Sequence, residues 1–247
     1  MSEQDKNQSK TFSRRNFLKN AGLTLGGLAV GSGVGSALTG GKVKEVEVEK
    51  IVENKANKAL MYFTPEQFRV IDAASERIFP KDDNGPGAHE LDVVYFIDHQ
   101  LAGSWGTGAK EYRIGPFYKG EPTQGDQNQL NRQQTFENGI KGLQEHSNSI
   151  YQKNFEKLTE EEQDAILTDF SEDKVPLKGV SSLYFFNLLR SATLEGAYSD
   201  PLYGGNAGME GWKMKNFPGH QMSMVESIKS DKFIKIEPMS LNSQHNH

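Results

Sequence analysis

Apolar residues recur at helical spacing from Phe68 through Ile71 and Ala74 to Ile78, a stripe that turns one face of a helix inward. Thr64-Pro65-Glu66-Gln67 marks its start. Thr64 can accept from free backbone N–H groups, Pro65 suits the first helical position, and Gln67 completes a capping box. Pro80 stops the run, and Asp82-Asp83-Asn84-Gly85-Pro86-Gly87 reads as a loop. A second helix fits residues 89–102, with Leu91, Val94, Tyr95 and Leu101 on one side. Residues 103–129, rich in Gly, Pro and polar groups, read as a long irregular connection. Within it Trp105, Tyr112, Phe117 and Tyr118 predict ordered packing against something.

A third helix runs from residue 128 to 154, with Phe136, Ile140, Leu143, Ser147, Ile150 and Tyr151 as its inner stripe. Thr159 and Glu162 form another capping box, opening a helix that buries Ile166, Leu167 and Phe170. Segment 182–195 holds Leu183, Phe186, Leu189, Arg190 and Leu194. It is apolar nearly all round, which predicts the central and most buried helix. The chain shows no internal repeat. These patterns describe a mainly α protein: a single helical domain over residues 61–225 with long ordered loops, then a polar tail over 226–247.

The N-terminal forty residues follow a different pattern. Ser13-Arg14-Arg15-Asn16-Phe17-Leu18-Lys19 precedes an uncharged stretch from Asn20 to Gly41. Ser13, Arg14, Arg15, Phe17, Leu18 and Lys19 match the twin-arginine export signal, the address of proteins that cross a membrane already folded. Eight glycines between Gly22 and Gly41 disfavour a stable buried or membrane-spanning helix, because each costs about 1 kcal/mol relative to Ala. Small residues at Gly35 and Ala37 allow cleavage after Ala37, and retention as an anchor is the alternative. Residues 1–40 are therefore read as a signal segment. Residues 41–60, in which charges alternate with Val and Ile, are read as a linker in preference to a short strand.

Composition narrows the chemistry. The chain has 247 residues, enough for one sizeable core, and a mean hydropathy of −0.66, which excludes a multi-pass membrane protein. Beyond residue 40 it carries 23 basic against 31 acidic residues, a balance of −8 that disfavours nucleic acid as a partner. The absence of cysteine removes disulfides, thiol nucleophiles, Cys-ligated iron–sulfur clusters and c-type haem attachment.

No catalytic, cofactor-binding or metal-binding residues can be assigned. Gly31, Gly33 and Gly35 lie inside the signal and lack the strand and final glycine of a dinucleotide fingerprint. Gly103 and Gly108 have the gap of a phosphate loop, but Ala109 stands where its lysine belongs. Of His89, His99, His146, His220, His245 and His247, none forms a metal-binding pair by spacing. His99, beside Asp98, reads as a structural histidine before a ligand. Asp82-Asp83 and Asp92/Asp98 read as ordinary loop and helix-face charges.

The densest peculiarity runs from Thr193-Leu194-Glu195-Gly196 through Ala197-Tyr198-Ser199-Asp200-Pro201-Leu202-Tyr203-Gly204-Gly205-Asn206 to Gly211-Trp212 and Asn216-Phe217-Pro218-Gly219. Gly196 can end a helix, Ser-Asp-Pro starts a turn, and Gly204-Gly205-Asn206 tolerates positive φ. So much aromatic surface in a loop packs onto its own core, onto a partner, or both. Tyr198, Asp200, Pro201, Tyr203, Gly204, Gly205, Asn206, Trp212 and Phe217 are the candidate docking residues.

At these residues the chain resembles the small subunit (subunit 3, or gamma subunit) of the membrane-associated gluconate 2-dehydrogenase family. The E-G-x-x-S-D-P-x-Y-G-G-N and G-W…F-P-G strings carry the resemblance, together with Phe63-Thr64-Pro65-Glu66-Gln67, Ile78-Phe79-Pro80 and the twin-arginine signal. It covers residues 60–220 and departs at Asn216, where glycine is expected, although Asn also tolerates positive φ. The resemblance implies an accessory subunit that escorts a large GMC-type flavoprotein through the twin-arginine translocase and stabilises it. It places FAD and haem c in partner subunits, with a cytochrome c subunit as a further partner, and locates the complex at the outer face of the cytoplasmic membrane, in the periplasm or its equivalent. A free-standing exported ligand-binding protein is the competing reading.

Overall fold

The computed structural model describes residues 58–241, apart from Lys119, Pro122, Gly125, Asp126 and Phe233. The export signal, the linker up to residue 57, and His245 and His247 in the tail lie outside the described residues. The described part belongs to a unit of residues 54–247 and is a single helical domain, with isolated β-bridges but no strand among the described residues.

Helix α1 (Pro65–Ile78) has the predicted capping box: Thr64 accepts from Gln67 N, and the Gln67 side chain accepts from Thr64 N. Helix α2 is shorter than predicted, Val93–Ala102, because Asp92 at φ 58° breaks the helical path before it. A single turn, α3 (Ser104–Thr107), leads into the long connection. Helix α4 (Arg132–Tyr151) is trimmed at both ends. An Asn131/Gln134 capping box starts it, and Gln152 at φ 55° ends it. Ile150, expected inside, is 50% exposed, because the chain turns back and the fully buried Phe155 takes the interior place. Helix α5 (Glu160–Ser171) starts from the Thr159 capping box and buries Ile166, Leu167 and Phe170.

Helix α6 (Ser182–Tyr198) is central in that it touches α1, α2, α4 and α5. It is not the most buried helix, since seven of its 17 residues are inside against six of ten in α2. Its outer stripe, Leu183 and Arg190, faces solvent. Short helices α7 (Glu210–Met214) and α8 (Val225–Ile228) follow. The rings of Phe136, Phe185 and Phe170 stack edge-to-face at 5.7 and 5.9 Å between centroids, tying α4, α5 and α6 into one core.

Candidate docking site

Gly196 does not end α6. The helix runs two residues further, and the bare Cα lets α2 approach, since a Cβ there would stand 3.0 Å from both Val93 and Phe96. The loop then folds back onto these two helices. Asp200 caps the turn 201–203, accepting from Leu202 N at 2.9 Å. Gly204 holds φ 105° beside the His99 ring, and a Cβ on Gly205 would meet the Gly196 carbonyl oxygen at 2.2 Å. Asn206, fully buried at φ 51°, donates to Ser199 O and accepts from Gly211 N, both at 2.8 Å. Trp212 is buried, donates from Nε1 to Tyr198 O at 2.7 Å, and meets Phe217 edge-on at 5.4 Å. Asn216, the departure from the expected glycine, takes φ 51°.

The loop packs onto the protein's own core and leaves part of its aromatic surface exposed. Gly204, Gly205, Asn206 and Trp212 are spent on the protein's own interior, and Asp200 and Pro201 shape the turn. Tyr203 and Phe217 stand half exposed, with Leu202 beside them. Tyr198 lies between, its ring edge-on to Phe79 at 5.8 Å and under the Lys215 ammonium at 5.7 Å.

Two contacts escaped sequence reasoning. The chain returns at its end to this loop: Ser240 Oγ and Leu241 N donate to the Asp200 carboxylate at 2.7 and 2.9 Å, and Met239 pairs with Gly219 and His220. Residues from 226 onward therefore include a strap, and nothing in their polar composition signals it. Second, Asp98 is not a helix-face charge. Fully buried on α2, it accepts from the backbone N–H groups of Met61, Tyr62 and Phe63 at 2.6, 3.0 and 2.6 Å. His99 Nε2 reaches Ala59 O at 3.2 Å, and Lys58 pairs with Asp92 at 2.8 Å. The segment by which the chain enters the domain is thereby clamped along α2, next to the 204–207 turn, whose Ala207 N donates to Leu91 O. An acid within Val93-Val94-Tyr95-Phe96-Ile97-Asp98 was the available signal.

In the long connection only Trp105 packs as expected, under the Arg132 guanidinium and against Phe136. Tyr112 and Tyr118 are 87% and 75% exposed, and Phe117 is partly so. Arg113 and Arg132 both pair with Glu111, so beyond Trp105 polar contacts hold this segment where Tyr112 and Tyr118 do not. Among the described residues no group of three or more His, Asp or Glu side chains is placed to hold a metal ion. No helix there is long and apolar enough to cross a membrane.

Compared with known proteins, a family model described as Gluconate 2-dehydrogenase subunit 3 matches residues 65–219, from the first residue of α1 to the end of the folded-back loop. No curated protein and no solved structure matches the chain.

Proposed function

We propose, from the premise that the chain belongs to the gluconate 2-dehydrogenase subunit 3 family, that it escorts an FAD-bearing flavoprotein of the GMC type through twin-arginine export and stabilises it afterwards. Membership makes the chain an accessory subunit of a dehydrogenase complex. The export role rests on the Arg14-Arg15 signal at the other end of the same chain. A folded partner without a signal of its own crosses by this route when it is attached to a chain that bears one, and in this reading the helical domain supplies the attachment. In this reading FAD and haem c belong to partner subunits, a cytochrome c subunit receives the electrons, and the assembled enzyme oxidises a sugar acid at the outer face of the cytoplasmic membrane.

The observation that carries the proposal is the joining of this signal to a family domain whose aromatic, Gly-rich loop is folded onto its own helices yet leaves Tyr203 and Phe217 half exposed. Co-expressing the flavoprotein with the chain carrying Arg14→Lys and Arg15→Lys tests it. Both proteins are expected to accumulate in the cytoplasm. Normal export of the flavoprotein beside the altered chain would defeat the escort role.

A further inference from the structure

After Trp212 the chain leaves the interior and stays out of it for a long way. From Lys213 to Met239 no described residue is buried, and Met222 and Ile228 are 81% and 79% exposed. The chain then returns, and Ser240, 3% exposed, is seated against the turn that follows α6. Closing so long an excursion costs entropy, and the stretch between buries little apolar surface to offset it. The contacts at its end therefore matter. Some are backbone pairs: His220 N donates to Met239 O at 2.7 Å, and Met239 N donates to Pro218 O at 3.2 Å. Gly219 between them has no room for a Cβ, because its Cα lies between the Met239 backbone and the Trp212 ring.

Asp200 supplies the others. Its Oδ1 accepts from Ser240 Oγ at 2.7 Å and from Leu202 N at 2.9 Å, and its Oδ2 accepts from Leu241 N at 2.9 Å. One carboxylate thus joins the strap to the turn. Within the turn Tyr203 N donates to Asp200 O at 2.9 Å and Gly204 N to Pro201 O at 3.1 Å. Leu202 and Tyr203 stand on it 46% and 47% exposed. An aspartate on a surface turn can exchange among rotamers. Donors on both of its oxygens select one of them, and that rotamer keeps Oδ1 on Leu202 N.

We propose that Ser240 and Leu241 are positioning residues for the docking turn: by fixing the Asp200 carboxylate they hold residues 201–204 in the conformation that presents Leu202 and Tyr203 to the flavoprotein subunit. The end of the strap acts as a brace from behind the turn and does not itself touch the partner. The proposal rests on the accessory-subunit reading and adds to it what keeps the turn ready. A turn ordered beforehand loses less freedom when a partner binds. Losing the brace should therefore weaken binding while leaving the helical core, which the strap does not enter, as stable as before.

The test reads hydrogen exchange in the free chain and the affinity of the same chain for the purified flavoprotein subunit. Ser240→Ala, and separately a stop after Pro238, are expected to speed exchange at the Leu202, Tyr203 and Gly204 amides, about threefold for the first and about tenfold for the second. The dissociation constant should rise by similar factors, with the Tm of the helical core moving less than about 2 °C. Ser240→Thr, which keeps the hydroxyl, should stay close to wild type in both readouts. Met222→Ser with Ile228→Ser, on the exposed part of the strap, should change neither. Unchanged exchange at the three amides in both brace variants overturns the proposal, and so does faster exchange with unchanged affinity. Weaker binding from the Met222 and Ile228 changes, with the turn's exchange unaltered, would make the strap a contact surface and overturn its role as a brace. If the wild-type subunits do not bind, the accessory reading fails and the docking role with it, while exchange in the free chain still decides whether the brace holds the turn.

Discussion

Removing the Asp98 carboxylate should release the segment that leads into the domain, and the cost follows from its contacts. Three backbone N–H groups point at this one side chain, which is fully buried. Left unpaired in place, each would cost about 1–3 kcal/mol. The chain has a cheaper route. It can lift residues 58–63 into water, giving up three charge-assisted hydrogen bonds and the burial of Phe63, itself worth about 1.5–3 kcal/mol. Asp98→Ala should therefore destabilise the domain by about 3–5 kcal/mol, lowering Tm by at least about 6 °C for a domain of this size. Asp98→Asn should fall between. Its remaining oxygen can still accept from Tyr62 and Phe63, and only the half-exposed Met61 loses its partner. Thermal melting with hydrogen exchange at the amides of Met61, Tyr62 and Phe63 reads both effects. A drop below about 2 °C with unchanged exchange at those amides would refute the clamp.

Gly205→Ala places a Cβ 2.2 Å from the Gly196 carbonyl and should cost about 1–3 kcal/mol in denaturant unfolding, because backbone lies on both sides. Asp200→Ala should free the strap: cleavage by trypsin at Lys229, Lys232 and Lys235 accelerates, while the Tm of the helical core moves little, since Ser240 and Leu241 lose their acceptor. The His89 pKa is raised, first by its hydrogen bond to Asp72 at 2.7 Å and then by that carboxylate's charge. On Asp72 burial outweighs His89 and pushes the carboxyl up, so the pair gains from the histidine's charge more than the carboxylate gains from its site. A raised histidine stabilises the fold fully below its unfolded value near pH 6.5 and loses that contribution as the pH climbs through its folded value. The stability gap between wild type and His89→Ala should accordingly be larger at pH 6 than at pH 8.5, and small throughout because the imidazole is largely exposed.

Local signals in this sequence were strong where capping and periodicity agree. The Thr64 and Thr159 boxes are found where the residues put them, and Phe136, Leu143, Ile166 and Phe170 lie in the core. Boundaries failed where a single residue adopts the left-handed conformation, as Asp92 and Gln152 do, because no neighbouring residue announces it. Ile150 was misplaced because the helix ends at Gln152 and the fully buried Phe155, five residues beyond Ile150, takes the interior place after the chain reverses, a tertiary event that helical spacing does not carry. Gly196 was read as a helix end by its type, whereas its use is close packing of α6 on α2. In the candidate site, the family strings located the loop, but composition could not divide its aromatic residues between interior and surface. Trp212 went in and Phe217 stayed half out, through contacts set by Asn206 and Tyr198. The strap onto Asp200 joins residues distant in sequence, so it became visible only in three dimensions.

The most direct test of the accessory role is native mass spectrometry of the affinity-tagged chain co-expressed with the flavoprotein, followed by dye-linked assay of the same fractions. The account predicts a complex whose mass contains this chain and an FAD-bearing partner, with turnover confined to fractions that hold the flavoprotein. A lone 27.5 kDa species that carries its own flavin, haem or metal and turns over substrate unaided would contradict it.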